Sequence, residues 1–309
     1  MSGPQSFPWP AFGVIRQTPV WRDGAFHVGQ QHLGVISYEP GGSGWTEELT
    51  GLHEAAAGQG DHPIDIASRA HAISQIARHL PPTGVVLEIG CSSGFLLHNL
   101  AASFPDATII GSDIIAAPLE KIAARLPLPL LHFDLVRCPL PDDCIDVAVL
   151  LNVLEHIEDD SSALRQLWRI LKPGGAAVFE VPAGPHLFGA YDRALMHYRR
   201  YRLGGFCQQV AAAGFEVIYR SHLGFWIYPA FLLAKRRDVG LLNAPPEEVR
   251  HMVQEDISRT RGGHLLRWAL GFERAIGQVV RYPVGVRCLV TARKLGPGAP
   301  AQDAAICST

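Results

Sequence analysis

The chain has 309 residues, 48% hydrophobic and 18% charged, which is ordinary for a globular fold with a full buried core. Its 27 basic residues are matched by 29 acidic ones, so it offers no polycation for a phosphate backbone, and no nucleic acid is expected as a partner. Six cysteines, at 91, 138, 144, 207, 288 and 307, form neither a CxxC pair nor a Cys/His ligand spacing, which predicts reduced thiols without a zinc site or a disulfide framework. The opening MSGPQSFPWPAFGVIRQ shows no signal or transit pattern, so a cytoplasmic location is expected. The longest apolar stretch, Leu223 to Ala234, is too short to span a bilayer and contains a proline, so no stable membrane insertion is expected.

In chain order, VWRDGAFHV and LGVISYEP read as a hairpin or small β-appendage leading to a flexible PGGSG segment at 40–44. Ile73, Ile76, Ala77 and Leu80 mark a helix that starts near Asp61-His62-Pro63. Short Val- and Ile-rich runs then alternate with helical patterns, the signature of a parallel sheet covered by helices. Strands are predicted at 85–90, 108–113, 129–134, 145–151 and 176–182, with runs at 215–221 and 286–293 completing the sheet. Leu97, Leu100, Ala101 and Phe104 give one helix; Leu164, Leu167, Trp168 and Leu171 give another, which begins after Asp159-Asp160-Ser161 and stops at LKPGG. After residue 236 the pattern is helical until the last strand, and the tail from Gly296 reads as disordered. The expected division is an appendage or cover at 1–60, a core at 61–236, helices and the last strand at 237–294, and a tail at 295–309.

The turn after the first core strand, Gly90-Cys91-Ser92-Ser93-Gly94-Phe95, lacks the second and third glycines of a dinucleotide fingerprint, and no Gly-Lys-Ser/Thr of a phosphate loop follows. What remains is Glu88 two residues before the turn and Asp113 at the end of the next strand. That pattern suits a cationic, ribose-bearing ligand without phosphates: Asp113 accepts from ribose hydroxyls, and Glu88 lies where an ammonium and a sulfonium can be placed.

Four stretches in order, VLEIGCSSG, IIGSDI, HFDLVRCPLPDDCIDVAVLLNVLEHIEDD and LWRILKPGGAAVFEVP, make residues 60 to 225 resemble a class I S-adenosylmethionine-dependent methyltransferase of the small-molecule type. The resemblance implies an α/β, Rossmann-like seven-stranded sheet with its last strand antiparallel, flanked by helices, here with the N-terminal β-appendage and a C-terminal helical addition. It implies S-adenosyl-L-methionine as cofactor, with Glu88, Gly90, Cys91 and Gly94 on the aminopropyl and sulfonium side. Asp113 would take the ribose hydroxyls, Ile114 would pack on the adenine, Asp134 would accept from the adenine amine backed by Leu135, and Asn152 would sit beside the methionine part.

Methyl transfer is an in-line displacement, so the protein has to position the groups and, where needed, take a proton. His156, in LEHIED, is the first candidate base, since a neutral imidazole suits proton removal near neutral pH; hydrogen bonding of its own loop is the plainer use. YDRALMHYRRYR at 191–202 supplies the rest: Tyr191 and His197 as catalytic candidates, with Asp192, Arg199 and Tyr201 as contacts for a polar or anionic acceptor. The aromatic run GFWIYPAFLLA reads as core packing, an apolar wall of the acceptor pocket or a lid, a contact in a homodimer, or a surface patch docking on a membrane. Arg69 is placed to reach the methionine carboxylate. No metal is expected, because Glu155, His156, Glu158 and Asp159 lie too close in the chain for all to point inward.

The function that follows is methyl transfer to a small-molecule acceptor of secondary-metabolite, saccharide or lipid-linked type. An NAD-dependent oxidoreductase and a non-catalytic protein that binds the same cofactor as a regulatory ligand are the alternatives.

Overall fold

The computed structural model describes residues 7–13, 16–38, 60–237, 263–277 and 279–296. The N-terminal part forms β1 (Val20–Arg22), β2 (Ala25–Val28), β3 (Gln31–Leu33) and β4 (Val35–Ser37). Asp23 and Gly24, at φ 53° and 78°, join β1 to β2, which is the left-handed pair a two-residue hairpin needs. Trp9 and Trp21 meet the ring of Phe26 edge-on at 4.9 and 4.7 Å, and these rings are continuous with the core under the main sheet.

Next come α1 (Pro63–His79), β5 (Val85–Ile89), α2 (Phe95–Ser103), β6 (Thr108–Asp113), α3 (Ala116–Ala123) and β7 (Leu130–His132). They are followed by β8 (Ile145–Leu151), α4 (Asp160–Ile170), β9 (Leu171–Pro182), α5 (Ala190–Ala194) and α6 (Leu203–Ala212). The described chain ends with β10 (Phe215–Leu223), α7 (Tyr228–Arg237), α8 (His264–Ile276) and β11 (Arg287–Lys294).

One sheet organises the molecule, in the order β10-β11-β9-β8-β5-β6-β7-β4. β11 runs antiparallel to both of its neighbours and the remaining pairs are parallel. The seven strands expected from the sequence are β5 to β11, and an eighth is added at the edge. Val35, Ile36 and Ser37 of β4 pair with Leu130, Leu131 and His132, so part of the expected appendage is continuous with the core sheet. β4 was too short to announce its partner, because three residues carry no alternation to read.

Both faces are covered, which is why β6 is buried at all six positions, its polar Thr108, Ser112 and Asp113 included. Ile76, Leu97, Leu100, Leu119 and Ile122 from α1, α2 and α3 pack on one face. Leu164, Leu167 and Ile170 of α4, with Phe206 and Val210 of α6, pack on the other. Asp159 caps α4 by accepting from the Ser162 amide at 2.9 Å, and the helix stops at Ile170 as the LKPGG signal predicts. Leu171 then pairs with Ile145, and the register shifts before Val147, so the proline and glycines occupy an irregular start of β9.

The end of the described chain returns to α1: Leu270 of α8 shares a core with Ile64, Ala67, Leu223 and Val286. The buried Glu273 carboxylate accepts from the Gly224 amide at 2.6 Å and fixes the chain leaving β10. Within the aromatic run, Phe225 stacks on Tyr282 and Phe231 joins this core, while Trp226 is half exposed. Among the described residues no helix is long and apolar enough to cross a membrane. The expected PGGSG segment, most of the helical stretch after 236 before α8, and nearly all of the tail lie outside the described residues.

Candidate functional site

The chain runs from β5 outward to β6 and β7, then returns to β8 on the other side of β5. This switch opens a crevice at the carboxyl ends of β5 and β8, the place where open α/β sheets hold their ligands. The turn after β5 lines it. The Gly90 and Cys91 amides donate to the Ser112 carbonyl at 2.8 and 3.0 Å, which folds the turn against β6. Gly90, Ser92 and Gly94 all have positive φ, at 74°, 39° and 73°. A Cβ on Gly90 would lie 2.5 Å from Val153 Cγ2, so the residue must be glycine on both conformational and packing grounds. Gly90→Ala is expected to cost roughly 1–3 kcal/mol of stability in chemical denaturation, and Val153→Ala to restore only the packing part. Cys91 is buried, and burial together with the nearby Asp113 and Glu88 carboxylates pushes its thiol up, so its side chain stays neutral.

Asp113 closes the turn from the other side. Its Oδ2 accepts from the Ser92 amide at 2.9 Å and its Oδ1 from the Ile115 amide at 3.0 Å. Burial raises its pKa, held back by these backbone donors. The Ile114 amide is a third backbone donor to the same carboxylate. The Ile114 carbonyl accepts from His132 Nε2 at 3.0 Å, and the other nitrogen of that ring meets Ser37 Oγ at 2.7 Å, so β4 holds the loop after Asp113 in place. Asp134 caps the short turn at 135–137 by accepting from the Val136 amide at 2.9 Å, and Leu135 is buried in the core behind it.

Glu88 is the strongest electrostatic feature. Its Oε2 is buried and has no hydrogen-bond partner among the described residues. Burial and the neighbouring Asp113 raise its pKa well above the ordinary range, opposed by the charge of Arg69. Arg69 itself donates to the Gly60 carbonyl at 2.5 Å and to Asn99 Oδ1 at 3.1 Å, so the guanidinium is fixed at the N-terminal side of α2.

Asn152, at φ 55° after β8, donates from Nδ2 to Glu180 Oε1 at 3.0 Å. Sequence reasoning missed that partner. Glu180 on β9 is buried and also accepts from Ser68 Oγ at 2.9 Å and Arg287 Nη1 at 2.6 Å, while its Oε2 has no partner among the described residues. Arg287 extends the network to Asp65 at 2.8 Å. A glutamate inside a predicted core strand, AAVFEVP, was the available signal.

The 191–202 segment divides. Asp192 is fully enclosed: Oδ1 faces His197 Nδ1 at 3.0 Å and Arg200 Nε at 2.7 Å, and Oδ2 faces the Gly189 amide at 2.9 Å and Lys235 at 3.5 Å. Burial works against its charge, but the His197 hydrogen bond and the Arg200 and Lys235 charges hold its pKa down. Arg199 bridges to Asp160 at 2.8 Å and the Glu158 carbonyl at 2.7 Å, and the buried Tyr201 hydroxyl donates to Asp160 at 2.8 Å. The structure thus gives Asp192, Arg199 and Tyr201, expected as acceptor contacts, internal partners: Arg199 and Tyr201 hold the segment to α4, and Asp192 ties it together and to Lys235 of α7. His197, by contrast, meets the His156 ring edge-on with centroids 4.6 Å apart, and burial keeps its imidazole below the usual pKa despite Asp192. Tyr191 lies under Lys235 at 5.0 Å, and its hydroxyl is pushed up to about 12 by burial. Glu155 is completely buried beside them, neither carboxylate oxygen has a hydrogen-bond partner among the described residues, and burial lifts it to about 8.

Residues 87–179 match the family model for the methyltransferase domain. A probable S-adenosylmethionine-dependent methyltransferase of Mycolicibacterium smegmatis is 31% identical over 138 residues, 43% of this chain and 52% of the relative. A trans-aconitate 2-methyltransferase of Deinococcus radiodurans is 32% identical over 134 residues, again 43% and 52%. The chain therefore spans about half the length of these curated relatives. Among solved structures, a chain from the complex of the Haloferax volcanii Trm112 methyltransferase activator with a methyltransferase aligns at a TM-score of 0.54 and 16% identity. That alignment covers 82% of this chain and 99% of the other, and shows the shared fold. The sheet order, the turn after β5 and these matches agree: the chain carries a methyltransferase domain of the class I S-adenosylmethionine-dependent type.

Proposed function

We propose that the chain, acting in the cytoplasm, transfers a methyl group from S-adenosylmethionine to a small-molecule acceptor. The observation that carries this reading is Glu88: a buried carboxylate with a bare oxygen, at the carboxyl end of β5, fits a ligand that brings positive charge and N–H donors. The residues around it fit the same ligand. Asp113 keeps acceptor capacity for a ribose hydroxyl, Asp134 keeps one oxygen for an adenine amine, Ile114 offers an apolar surface, and Asn152 and Arg69 suit the methionine end. When bound, the cofactor supplies an electrophilic methyl group on a sulfonium.

The chain's own residues position the acceptor and manage its proton. Tyr191, His156 and His197 form the acceptor side, across from the turn. Because the His197 Nδ1 is turned to Asp192, its Nε2 is the nitrogen left to receive a proton from the acceptor. Asp192, Arg199 and Tyr201 hold that side in shape without touching the acceptor. The name of the Deinococcus relative, a methyltransferase of a small carboxylic acid, supports a small-molecule acceptor here.

The test is methyl transfer from S-adenosylmethionine to a panel of hydroxylated, carboxylated and glycosylated compounds, followed by mass spectrometry. His197→Ala is expected to lower kcat by roughly 100-fold or more while cofactor affinity stays within about twofold. Wild-type rates in both His197→Ala and His156→Ala would refute the assignment of this side, and absence of cofactor binding would refute the reading as a whole.

A further inference from the structure

We infer that Glu155, His156 and His197 form a binding site for one divalent transition-metal ion, of the Zn²⁺ class, beside the acceptor position. Three observations carry it. One ligand atom from each residue lies within 4.8 Å of the other two. An ion with bonds of about 2.0–2.2 Å draws such donors together by only about 1 Å, a matter of side-chain rotation.

The second observation is Glu155. A fully buried carboxylate costs several kcal/mol unless it is paired or coordinated, and neither of its oxygens has a hydrogen-bond partner among the described residues. Arg200 and Arg287 contribute favourable charge, but their own hydrogen bonds go to Asp192, Glu180 and Asp65. A cation among the three side chains satisfies Glu155 directly.

The third is the support behind His197. Its Nδ1 is hydrogen-bonded to the buried Asp192, which is itself locked by Arg200 and the Gly189 amide. A carboxylate behind one ring nitrogen fixes the tautomer and turns the other, Nε2, outward as a ligand; metal-binding histidines are held this way almost without exception.

The sequence argued against a metal because Glu155, His156, Glu158 and Asp159 are neighbours. Glu158 and Asp159 do face solvent. The third donor comes from 41 positions further on, carried in when the Tyr198 amide donates to the Glu155 carbonyl at 2.8 Å. Two imidazoles and one carboxylate favour zinc-class ions over Mg²⁺, which prefers oxygen ligands and retains its water. Three protein ligands leave coordination open, as in sites that act on a bound molecule. With an ion bound, His197 Nε2 would serve as a ligand instead of a base, and the ion would supply the charge that lowers the pKa of an acceptor hydroxyl at the open position.

Zinc binding to the chelator-stripped full chain is measured by calorimetry with ZnCl₂, with MgCl₂ as comparison. The pair His27 and His32, with rings 4.2 Å apart, is first removed as H27A/H32A so that it contributes no second site. The expected result is one Zn²⁺ per chain, bound at least about 100-fold more tightly than in Glu155→Gln or His197→Asn. Circular dichroism confirms that each variant is folded, and His156→Asn replaces any that is not. Affinities for Zn²⁺ within about threefold across parent and folded variants, or no Zn²⁺ binding by the parent, would overturn the inference. S-adenosylmethionine titrations on the same samples separate the two readings: an intact cofactor response without zinc binding removes the metal site alone, and zinc binding without a cofactor response removes the methyltransferase reading alone.

Discussion

Asp113→Ala is expected to weaken S-adenosylmethionine binding by at least about 100-fold, because the carboxylate does two jobs at once. It receives the Ser92 and Ile115 amides, fixing the turn after β5 and the start of the loop after β6. Its remaining acceptor capacity is the part proposed to take a ribose hydroxyl. Truncation leaves two buried amides without acceptors, each worth about 1–3 kcal/mol, before any ligand contact is lost. Asp113→Asn keeps one accepting oxygen and is expected to fall between alanine and wild type. Calorimetric titration of the three proteins checks the order. Equal affinity in all three would mean that Asp113 is only a turn residue.

The second large effect falls on stability. Arg287→Met is expected to destabilise the chain by roughly 3–5 kcal/mol, since it removes the cation from a buried carboxylate. Glu180 loses its 2.6 Å partner and keeps only the neutral donors Ser68 and Asn152, while Asp65 loses its 2.8 Å partner at the start of α1. The consequence reaches the crevice, because Asn152 is aimed by the same carboxylate. Adding Glu180→Gln removes the stranded charge and is expected to recover more than half of the loss, as seen by chemical denaturation. A double variant no more stable than Arg287→Met would show that the arginine acts through packing alone.

The two sides of this network show which features a sequence discloses. The places of Glu88, the turn at 90–94, Asp113 and the core strands were legible because each rests on a local rule: an apolar run, a carboxylate at its end, small residues where the chain must turn; the bounds of β7 and β9 were not. The Glu180–Arg287–Asp65–Ser68 set was not, since it joins residues 107 to 222 positions apart, and such pairing depends on strand order. The 191–202 segment was recognised as polar and aromatic, but composition does not say which way a side chain points. Asp192, Arg199 and Tyr201 turn to charged partners, while His197 packs against the His156 ring. The convergence of His197 on Glu155 and the pairing of β4 with β7 are likewise products of tertiary contact.

The cofactor reading also fixes a pH dependence. Burial raises the Glu88 pKa well above its unfolded value, so its contribution to stability is complete below the unfolded carboxylate range and is lost as pH rises toward the raised value. A cationic ligand beside it reverses the preference: the carboxylate ionises, a proton is released, and binding strengthens as pH rises.

The most direct measurement is therefore calorimetric titration of the whole chain with S-adenosylmethionine at about pH 6 and about pH 8, in buffers of different ionisation enthalpy, alongside Glu88→Gln. The account predicts binding that is tighter at the higher pH, with net proton release that Glu88→Gln abolishes along with most of the affinity. No binding at either pH, or binding indifferent both to pH and to Glu88→Gln, would contradict it.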